Sequence, residues 1–208
     1  TLPLGPSMTS QEFVNHRLVQ LDGVLSSLEC RLLLDRGRAV GYSKQEYGAR
    51  FAREARQRAT ENDPALCKLL WERLHDRLPR LEQLYDELAP DPPLEHPLEA
   101  HVAVGLNPRL RYYRYEPGRR FPLHVDLAYR ASAQERSFLT VILYLNDDYS
   151  GGQTRFGPVA VQPRTGMALL FRSYDKGADV KRFGETFTEN DLEGELGDIV
   201  AVISSLSK

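Results

Sequence analysis

Short segments rich in β-branched and aromatic residues fill the second half of this 208-residue chain, and they limit its fold more than any other feature. Each is bounded by Gly, Pro, Asn or Asp, which favour turns over regular structure. Several short strands at this spacing are typical of an antiparallel sandwich or barrel. The predicted strands are 109–115, 137–145, 159–162, 167–171 and 199–203.

The first half of the chain has helical periodicity instead. Ser26 and Glu29 form a capping-box pattern, leucines follow at helical spacing, and Gly37 is expected to end this helix. Asp63 and Pro64 predict the N-cap and the first residue of a second helix, which carries its own stripe of leucines. We therefore expect a helical layer that precedes the strands.

These patterns predict an α+β fold in one domain, since 208 residues at 41% hydrophobic content can form one core. Helical periodicity continues after the second helix and stops at a proline-rich run. An acidic stretch late in the chain has few apolar residues and is expected to be a solvated loop. The predicted parts are mainly helical support over 8–93 with a last helix at 77–88, a β core over 100–208, and the acidic loop region 175–198.

Composition argues against several classes of partner. A net charge of -2 and an isoelectric point near 6.2 disfavour nucleic acid or an anionic membrane as the main partner. The apolar runs, of which 139–145 is an example, are too short to span a bilayer. Cys30 and Cys67 are expected to be buried thiols rather than a disulfide, which favours a reducing compartment, and we expect a cytoplasmic location.

His124-Val125-Asp126 is the segment most suggestive of chemistry. Side chains two residues apart on a strand point to the same side, so His124 and Asp126 are expected to face each other. An imidazole and a carboxylate so placed would supply two of the three ligands of a two-His-one-carboxylate iron site. The pattern therefore predicts a metal site at this strand.

Several further motifs occur in order around that pair. Together they resemble the iron(II)/2-oxoglutarate dioxygenases, specifically the prolyl 4-hydroxylase-like branch. The resemblance implies a double-stranded β-helix (jelly-roll or cupin-like) core with N-terminal supporting helices. The motifs are the tyrosine-rich segment 110–118 with Phe121, the Tyr-Leu-Asn strand 139–146, Gly-Gly-Gln-Thr at 151–154, and 163–171, which ends in Leu-Leu-Phe.

The same resemblance implies a reaction and a set of roles. Fe(II) would be held by His124 and Asp126, with 2-oxoglutarate as cosubstrate near the hydroxyls of Tyr115 and Tyr144. Thr140 lies an even number of residues from Tyr144, so the two share a strand face and could both bond the cosubstrate. Ascorbate is a further candidate cofactor. The implied activity is hydroxylation of an unactivated C–H bond in a peptide, protein or small-molecule substrate, a prolyl residue being one candidate.

The sequence departs from the family pattern after Phe171, because it contains no histidine beyond position 124. Aligning Asp175-Lys176-Gly177 with the expected His-Glu-Gly makes Asp175 the candidate third ligand. Lys181 or Arg182 is then the candidate cation for the far carboxylate of 2-oxoglutarate. A second carboxylate close to that dianion would weaken its binding unless a cation compensates, and it would favour harder ions such as Mn²⁺.

Three explanations of that departure stay open. The chain is a metal-poor relative that keeps the fold for binding, an active enzyme that uses Asp175, a water or a partner's ligand, or a chain whose C-terminal segment is altered relative to a parent enzyme. The main hypothesis is a 2-oxoglutarate-dependent dioxygenase. The alternative is a catalytically silent protein of the same fold that binds a peptide or protein partner without turnover.

Overall fold

A computed structural model of the protein describes two helices, a short 3-10 helix and thirteen strands. It covers residues 11–14, 18–44, 57–78, 102–116, 120–124, 126–133, 135–156, 159–173, 188–192 and 197–207. The helices are α1 (Ser27–Val40), α2 (Pro64–Leu74) and the 3-10 helix His75–Arg77. The strands are β1 (Gln11–Val14), β2 (Leu18–Leu21), β3 (Ser43–Lys44), β4 (Gln57–Asn62), β5 (Ala103–Leu106), β6 (Arg109–Tyr115), β7 (Arg120–His124), β8 (Arg136–Tyr144), β9 (Gly151–Phe156), β10 (Val159–Val161), β11 (Ala168–Arg172), β12 (Thr188–Leu192) and β13 (Gly197–Ser207).

The strands form two sheets in which the paired strands are antiparallel. The larger sheet has nine strands in the order β1-β2-β11-β8-β13-β6-β4-β3, with β5 paired to β13. The smaller sheet has four strands in the order β10-β9-β12-β7. The predicted combination of helices with an antiparallel β core is therefore confirmed, and the five predicted strands correspond to β6, β8, β10, β11 and β13.

The two faces of the larger sheet bury different sets of side chains, because neighbours along a strand point in opposite directions. On β8, Ile142 and Tyr144 join an apolar cluster that also includes Phe156 and Val161 of the smaller sheet. We call this the inner cluster. Val141 joins an outer cluster, to which α1 and α2 contribute their buried residues. The helices thus cover one face of the larger sheet, and the smaller sheet lies against the other.

Helix α1 begins as its sequence predicts. The Ser26 hydroxyl accepts a hydrogen bond from the Glu29 amide (3.3 Å), and the Glu29 carboxylate accepts one from the Ser26 amide (2.8 Å). The predicted end at Gly37 is wrong, because the helix continues to Val40 and Gly41 is its C-cap. Gly37 is instead buried, and a Cβ there would lie 3.0 Å from the Tyr112 ring, so close packing explains this glycine.

Helix α2 also begins as predicted. Asp63 Oδ1 accepts a hydrogen bond from the Leu66 amide (2.9 Å), and Pro64 occupies the first turn. Leu66, Leu70 and Leu74 are buried in the outer cluster, so this stripe attaches the helix to the larger sheet. The predicted helix over 77–88 lies almost entirely outside the described residues.

The structure adds strands to two of the predicted parts. The segment 8–93, predicted to be mainly helical support, also contains β1, β2, β3 and β4, which join the larger sheet. The segment 175–198 is not only a loop, since it contains β12, which pairs with both β7 and β9. The sequence of β12, Thr-Glu-Asn-Asp-Leu, lacks an apolar pattern. Its strand conformation comes from backbone hydrogen bonds to neighbours that are remote in sequence.

Both cysteines are free and buried, as predicted. Burial raises the pKa of the Cys30 thiol to about 11 and that of Cys67 to about 12, and nearby carboxylates add to both shifts. Neither thiol is therefore ionised near neutral pH, which makes them packing groups rather than nucleophiles.

Among the described residues, no helix combines the length and apolar character that crossing a bilayer requires.

Glu29 links the start of α1 to α2. Its side chain is 1% exposed, and its carboxylate accepts hydrogen bonds from Ser26 and, at 2.5 Å, from Arg73. Burial by itself opposes ionisation, but the bonds from Arg73 and Ser26 outweigh it and hold the pKa of Glu29 below its usual value. The carboxylate therefore stabilises the folded state only while it is ionised.

We predict that Glu29→Gln lowers the free energy of unfolding at pH 7 by about 2 kcal/mol. Because the pKa is lower in the folded state, the wild-type advantage is full above the unfolded pKa of about 4.3 and shrinks as pH falls further. Urea unfolding of the wild type and Glu29→Gln at several pH values between 7 and 3 measures this difference in stability. Asp35→Asn, which removes the exposed partner of Arg38 on the same helix, is the control and should change little. A wild-type advantage that persists undiminished at pH 3 would contradict this account.

Gly166 fixes the turn that precedes β11. Its φ is +83°, its amide donates to the Tyr144 carbonyl (2.8 Å), and its carbonyl accepts from the Leu25 amide (3.1 Å). A Cβ at this position would lie 2.1 Å from the Leu25 carbonyl oxygen. Any side chain would therefore push apart β8, β11 and the segment that leads into α1.

We predict that Gly166→Ala lowers the free energy of unfolding by roughly 3 kcal/mol or more, because backbone strain and a backbone clash combine. Gly41→Ala is the matched control: its φ is +90° but nothing lies within 4 Å of the added Cβ. Its cost should be about 1–2 kcal/mol, from the backbone conformation alone. Chemical denaturation gives the free energies of unfolding of the wild type and the two variants. Equal losses of stability at both glycines would show that the clash is unimportant.

Candidate active site

His124 and Asp126 lie side by side at the end of β7. His124 Nε2 is 3.3 Å from Asp126 Oδ1, and the two side chains are 25% and 20% exposed. The expectation that these side chains face each other is therefore confirmed. A half-buried imidazole next to a carboxylate, both still open to solvent, offers a nitrogen and oxygen donors to one metal ion.

A shift in strand register orients the imidazole. Thr188 of β12 pairs with His124 and Asn190 pairs with Phe121, so three residue steps on β7 match two on β12. Such an irregularity changes the side to which later residues point. It allows the rings of Phe121 and His124, three residues apart, to contact each other with centroids 3.7 Å apart and planes tilted by 54°. The contact restricts rotation of the ring that would bind metal.

The third ligand and the predicted cation cannot be located in the same way. Asp175, Lys181 and Arg182 lie outside the described residues, so their predicted roles stay predictions. Within the described ranges, no three side chains of His, Cys, Asp or Glu come together as a metal cluster. The described part of the candidate metal centre is therefore the pair of His124 and Asp126.

Tyr115 and Tyr144 both lie in the inner cluster and are almost completely buried. The Tyr144 hydroxyl is 2.6 Å from Thr154 Oγ1 on β9, so this hydrogen bond joins the larger sheet to the smaller one. Burial raises the pKa of Tyr144, although the bond to Thr154 opposes this shift. The phenol therefore stays protonated at neutral pH and remains able to donate.

Thr140 forms a second buried pair of hydroxyls. Its Oγ1 is 2.9 Å from Ser173 Oγ, and both residues are about 1% exposed. Thr140 is also the cross-strand partner of Phe171, whose ring meets Phe156 edge-on at a centroid distance of 5.0 Å. The predicted cosubstrate residues Tyr115, Thr140 and Tyr144 thus lie between the sheets, among aromatic rings.

Strand register places His124 and the Tyr144–Thr154 pair at different levels along β12. His124 and Phe156 both pair with Thr188, whereas Phe121 and Thr154 both pair with Asn190. Thr154, with the Tyr144 hydroxyl bonded to it, therefore lies two residues along β12 from the level of His124. Two steps of an antiparallel strand span roughly 7 Å. The His124–Asp126 pair and the Tyr144–Thr154 pair lie at opposite ends of that interval.

Sequence reasoning did not single out Thr154, Ser173 or Tyr149. Thr154 lies in the recognised Gly-Gly-Gln-Thr motif, and its even spacing from buried Phe156 would have indicated an inward position. Ser173 follows β11 and has no periodic signal. Tyr149 lies in a connecting segment, where spacing predicts nothing. Its hydroxyl is nevertheless buried and has no hydrogen-bond partner in the described part of the chain.

Comparison with known proteins agrees with this geometry. Residues 110–185, which include β6 to β11, match the family model of the 2OG-Fe(II) oxygenase superfamily. No curated protein matches the chain by sequence. The resemblance inferred from the motifs, to the iron(II)/2-oxoglutarate oxygenases, is confirmed for this segment.

Solved structures of similar fold cover almost the whole chain. A prolyl-4-hydroxylase from Pseudomonas putida superposes with a TM-score of 0.58 at 16% identity, over 92% of this chain and 94% of that one. The viral collagen prolyl hydroxylase of Paramecium Bursaria Chlorella virus-1, solved with 2OG, gives 0.54 at 16% identity, over 92% and 96%. A 2OG-Fe(II) oxygenase family oxidoreductase from Burkholderia pseudomallei gives 0.51 at 10% identity, over 91% and 86%. At these identities the likeness shows a shared fold.

We predict that Thr154→Val lowers the free energy of unfolding by about 1–2 kcal/mol, because it leaves the buried Tyr144 hydroxyl without its partner. Thr154→Ser is the matched control, since it keeps the hydroxyl and loses only a methyl group. Urea denaturation of the three proteins measures the difference. If the Val and Ser substitutions lower the free energy of unfolding equally, the hydrogen bond between the sheets does not contribute to stability.

Proposed function

We propose that this protein is an iron(II)/2-oxoglutarate-dependent dioxygenase that hydroxylates an unactivated C–H bond. The observation that carries the proposal is the facing pair of His124 and Asp126, roughly 7 Å along β12 from the buried, hydrogen-bonded hydroxyls of Tyr144 and Thr154. This pair lies within the segment that matches the oxygenase family. We further propose that the two sheets are the walls of a double-stranded β-helix.

These two groups of residues fit iron and its cosubstrate. One imidazole and one carboxylate suit Fe(II) and leave positions for a bidentate 2-oxo acid and dioxygen. The interval of roughly 7 Å between the ends suits a short extended dicarboxylate. The buried Tyr149 hydroxyl, which lacks a partner among the described residues, is the kind of group that a bound ligand satisfies.

Bound iron, 2-oxoglutarate and dioxygen together would supply an oxidant strong enough to remove hydrogen from carbon. This chain's own residues would position that chemistry. His124 and Asp126 hold the metal on a strand end, and Phe121 fixes the plane of the imidazole. Phe156 and Phe171 exclude water from the inner side of the site. The protonated phenol of Tyr144 presents a donor without adding a charge.

Asp175 as third ligand, and Lys181 or Arg182 as cation for the cosubstrate, complete the proposed site. The substrate class is a peptide, a protein or a small molecule, and a prolyl residue is favoured because two of the similar structures are prolyl hydroxylases. Nucleic acid and membranes are not among the proposed partners. Ascorbate as a further cofactor and the cytoplasmic location stay predictions.

A second candidate is a protein of this fold that binds a peptide or protein without turnover. The observation in its favour is the absence of any histidine after position 124, which removes the usual second imidazole. The two candidates differ in their dependence on metal. An enzyme loses function when His124 is removed, whereas a silent binder keeps its affinity for its partner.

We predict that the metal-free protein, titrated without oxygen with Fe(II) and then 2-oxoglutarate, develops a visible charge-transfer band that saturates near one equivalent. His124→Ala should abolish the band, because it removes half of the described ligand pair. His75→Ala, which changes an exposed histidine in the 3-10 helix, is the control and should keep it. Absence of the band in the folded wild-type protein would contradict the oxygenase proposal, and Asp175→Ala is the next variant if it is present.

A further inference from the structure

A cavity of about 600 Å³ lies on the helix-covered side of the larger sheet, between α1 and the segment that follows β8. Its lining includes Leu34 and Leu145, which belong to the outer cluster, and Arg114 of β6. Tyr113 and Tyr115, on either side of Arg114 in the chain, belong to the inner cluster, so Arg114 points to the opposite face. The larger sheet therefore separates this cavity from the candidate metal centre.

Three arginines contribute to the lining of this cavity. Arg31 and Arg38 share one face of α1, and Arg114 adds a third guanidinium from the sheet. Arg38 is paired with Asp35 at 2.8 Å, whereas Arg31 and Arg114 have no ion-pair partner among the described side chains. A guanidinium presents a planar fork of donors that fits a carboxylate. Two arginines of the cavity are therefore available to bind carboxylates.

The segment after β8 adds two carboxylates to the same lining, Asp147 and Asp148. Both oxygens of Asp147 are engaged by Thr165, one by its amide (2.9 Å) and one by its hydroxyl (2.7 Å). Asp148 accepts a single hydrogen bond, from the Asn146 side chain (2.7 Å), and is exposed. Its second oxygen can therefore accept a hydrogen bond from a cationic donor. The cavity thus combines two available guanidiniums with one available carboxylate.

This combination of charges disfavours the simplest ligands. A cation would be repelled by the arginines, and a polyanion such as nucleic acid would be repelled by the aspartates. An inorganic anion would match the arginines but would leave most of the volume empty and the Asp148 carboxylate without a partner. The volume lies within the range of sites for small organic molecules, roughly 300–1,000 Å³. A ligand with two carboxylates and one ammonium group matches both the charges and the size.

We propose that this cavity binds an α-amino dicarboxylate, the chemistry of a free acidic amino acid or of a short acidic peptide. Arg31 and Arg114 would each bind one carboxylate, and the ammonium group would donate to Asp148. Leu34 and Leu145 would contact the aliphatic carbons between these charged groups. The inference goes beyond the proposed function, because such binding needs neither iron nor 2-oxoglutarate.

Calorimetric titration of the metal-free protein with glutamate and with the dipeptide glutamylglutamate tests the proposal. At least one of these probes should bind at a single site. Arg31→Met and Arg114→Met should each raise its dissociation constant roughly tenfold or more, because each removes a charged hydrogen-bond donor. Arg109→Met is the matched control: Arg109 is an exposed residue of the same strand as Arg114, does not line the cavity, and should not affect binding.

Glutarate, which keeps both carboxylates but lacks the ammonium group, tests the role of Asp148. It should bind more weakly than glutamate to the wild type, and Asp148→Asn should remove this difference. Tighter binding of the dipeptide than of glutamate would identify a peptide as the source of the ligand, and the reverse order would identify a free amino acid.

Three results would overturn the proposal. They are no binding of glutamate or the dipeptide to the wild type, binding that Arg31→Met leaves unchanged, and equal affinities of the wild type for glutamate and glutarate. Arg31 is exposed on α1, so its replacement should leave the thermal melting temperature unchanged. A loss of binding in Arg31→Met at an unchanged melting temperature therefore reports on the cavity itself.

Discussion

Burial of both faces of β8 is the constraint on which the rest of the structure depends. Every residue from Arg136 to Tyr144 is buried, because β11 and β13 flank the strand while helices and the smaller sheet cover its two faces. Apolar residues therefore occupy successive positions instead of alternating with polar ones. The outward set attaches α1 and α2 to the sheet. The inward set, Thr140, Ile142 and Tyr144, faces the smaller sheet, whose strand β7 ends at His124.

That inner space is polar without being charged in its described part. Its hydroxyls occur in pairs, Tyr144 with Thr154 and Thr140 with Ser173, and the pairs are separated by aromatic rings. Neutral donors cost little to bury when they are bonded to each other, whereas an isolated buried charge costs much more. Each of these hydroxyls is already bonded to its partner, so a dianion placed here would have to exchange one of those bonds. The dianion would also need a cation to compensate its charge. Lys181 or Arg182 has this role in the proposed site.

The geometry of the candidate metal centre depends partly on local sequence and partly on contacts between strands that are distant in sequence. The facing of His124 and Asp126 follows from strand alternation alone, so the sequence predicts it. The contact of the Phe121 ring with the imidazole depends on the register between β7 and β12, strands about seventy residues apart, which no local pattern encodes. The burial of Tyr149 likewise depends on how the connection after β8 folds over the inner cluster.

The sequence by itself determined the local features: the N-caps of both helices, the strands β6, β8, β10, β11 and β13, and the side-by-side placement of the two candidate ligands. These follow from backbone propensities and side-chain periodicity, which act over a few residues. Only the tertiary structure decided that Gly37 is a packing site within α1 and that the polar segment Thr188–Leu192 is a strand. It alone also paired Tyr144 with Thr154. Such features depend on partners that are distant in sequence, and their energies exist only once the sheets have assembled.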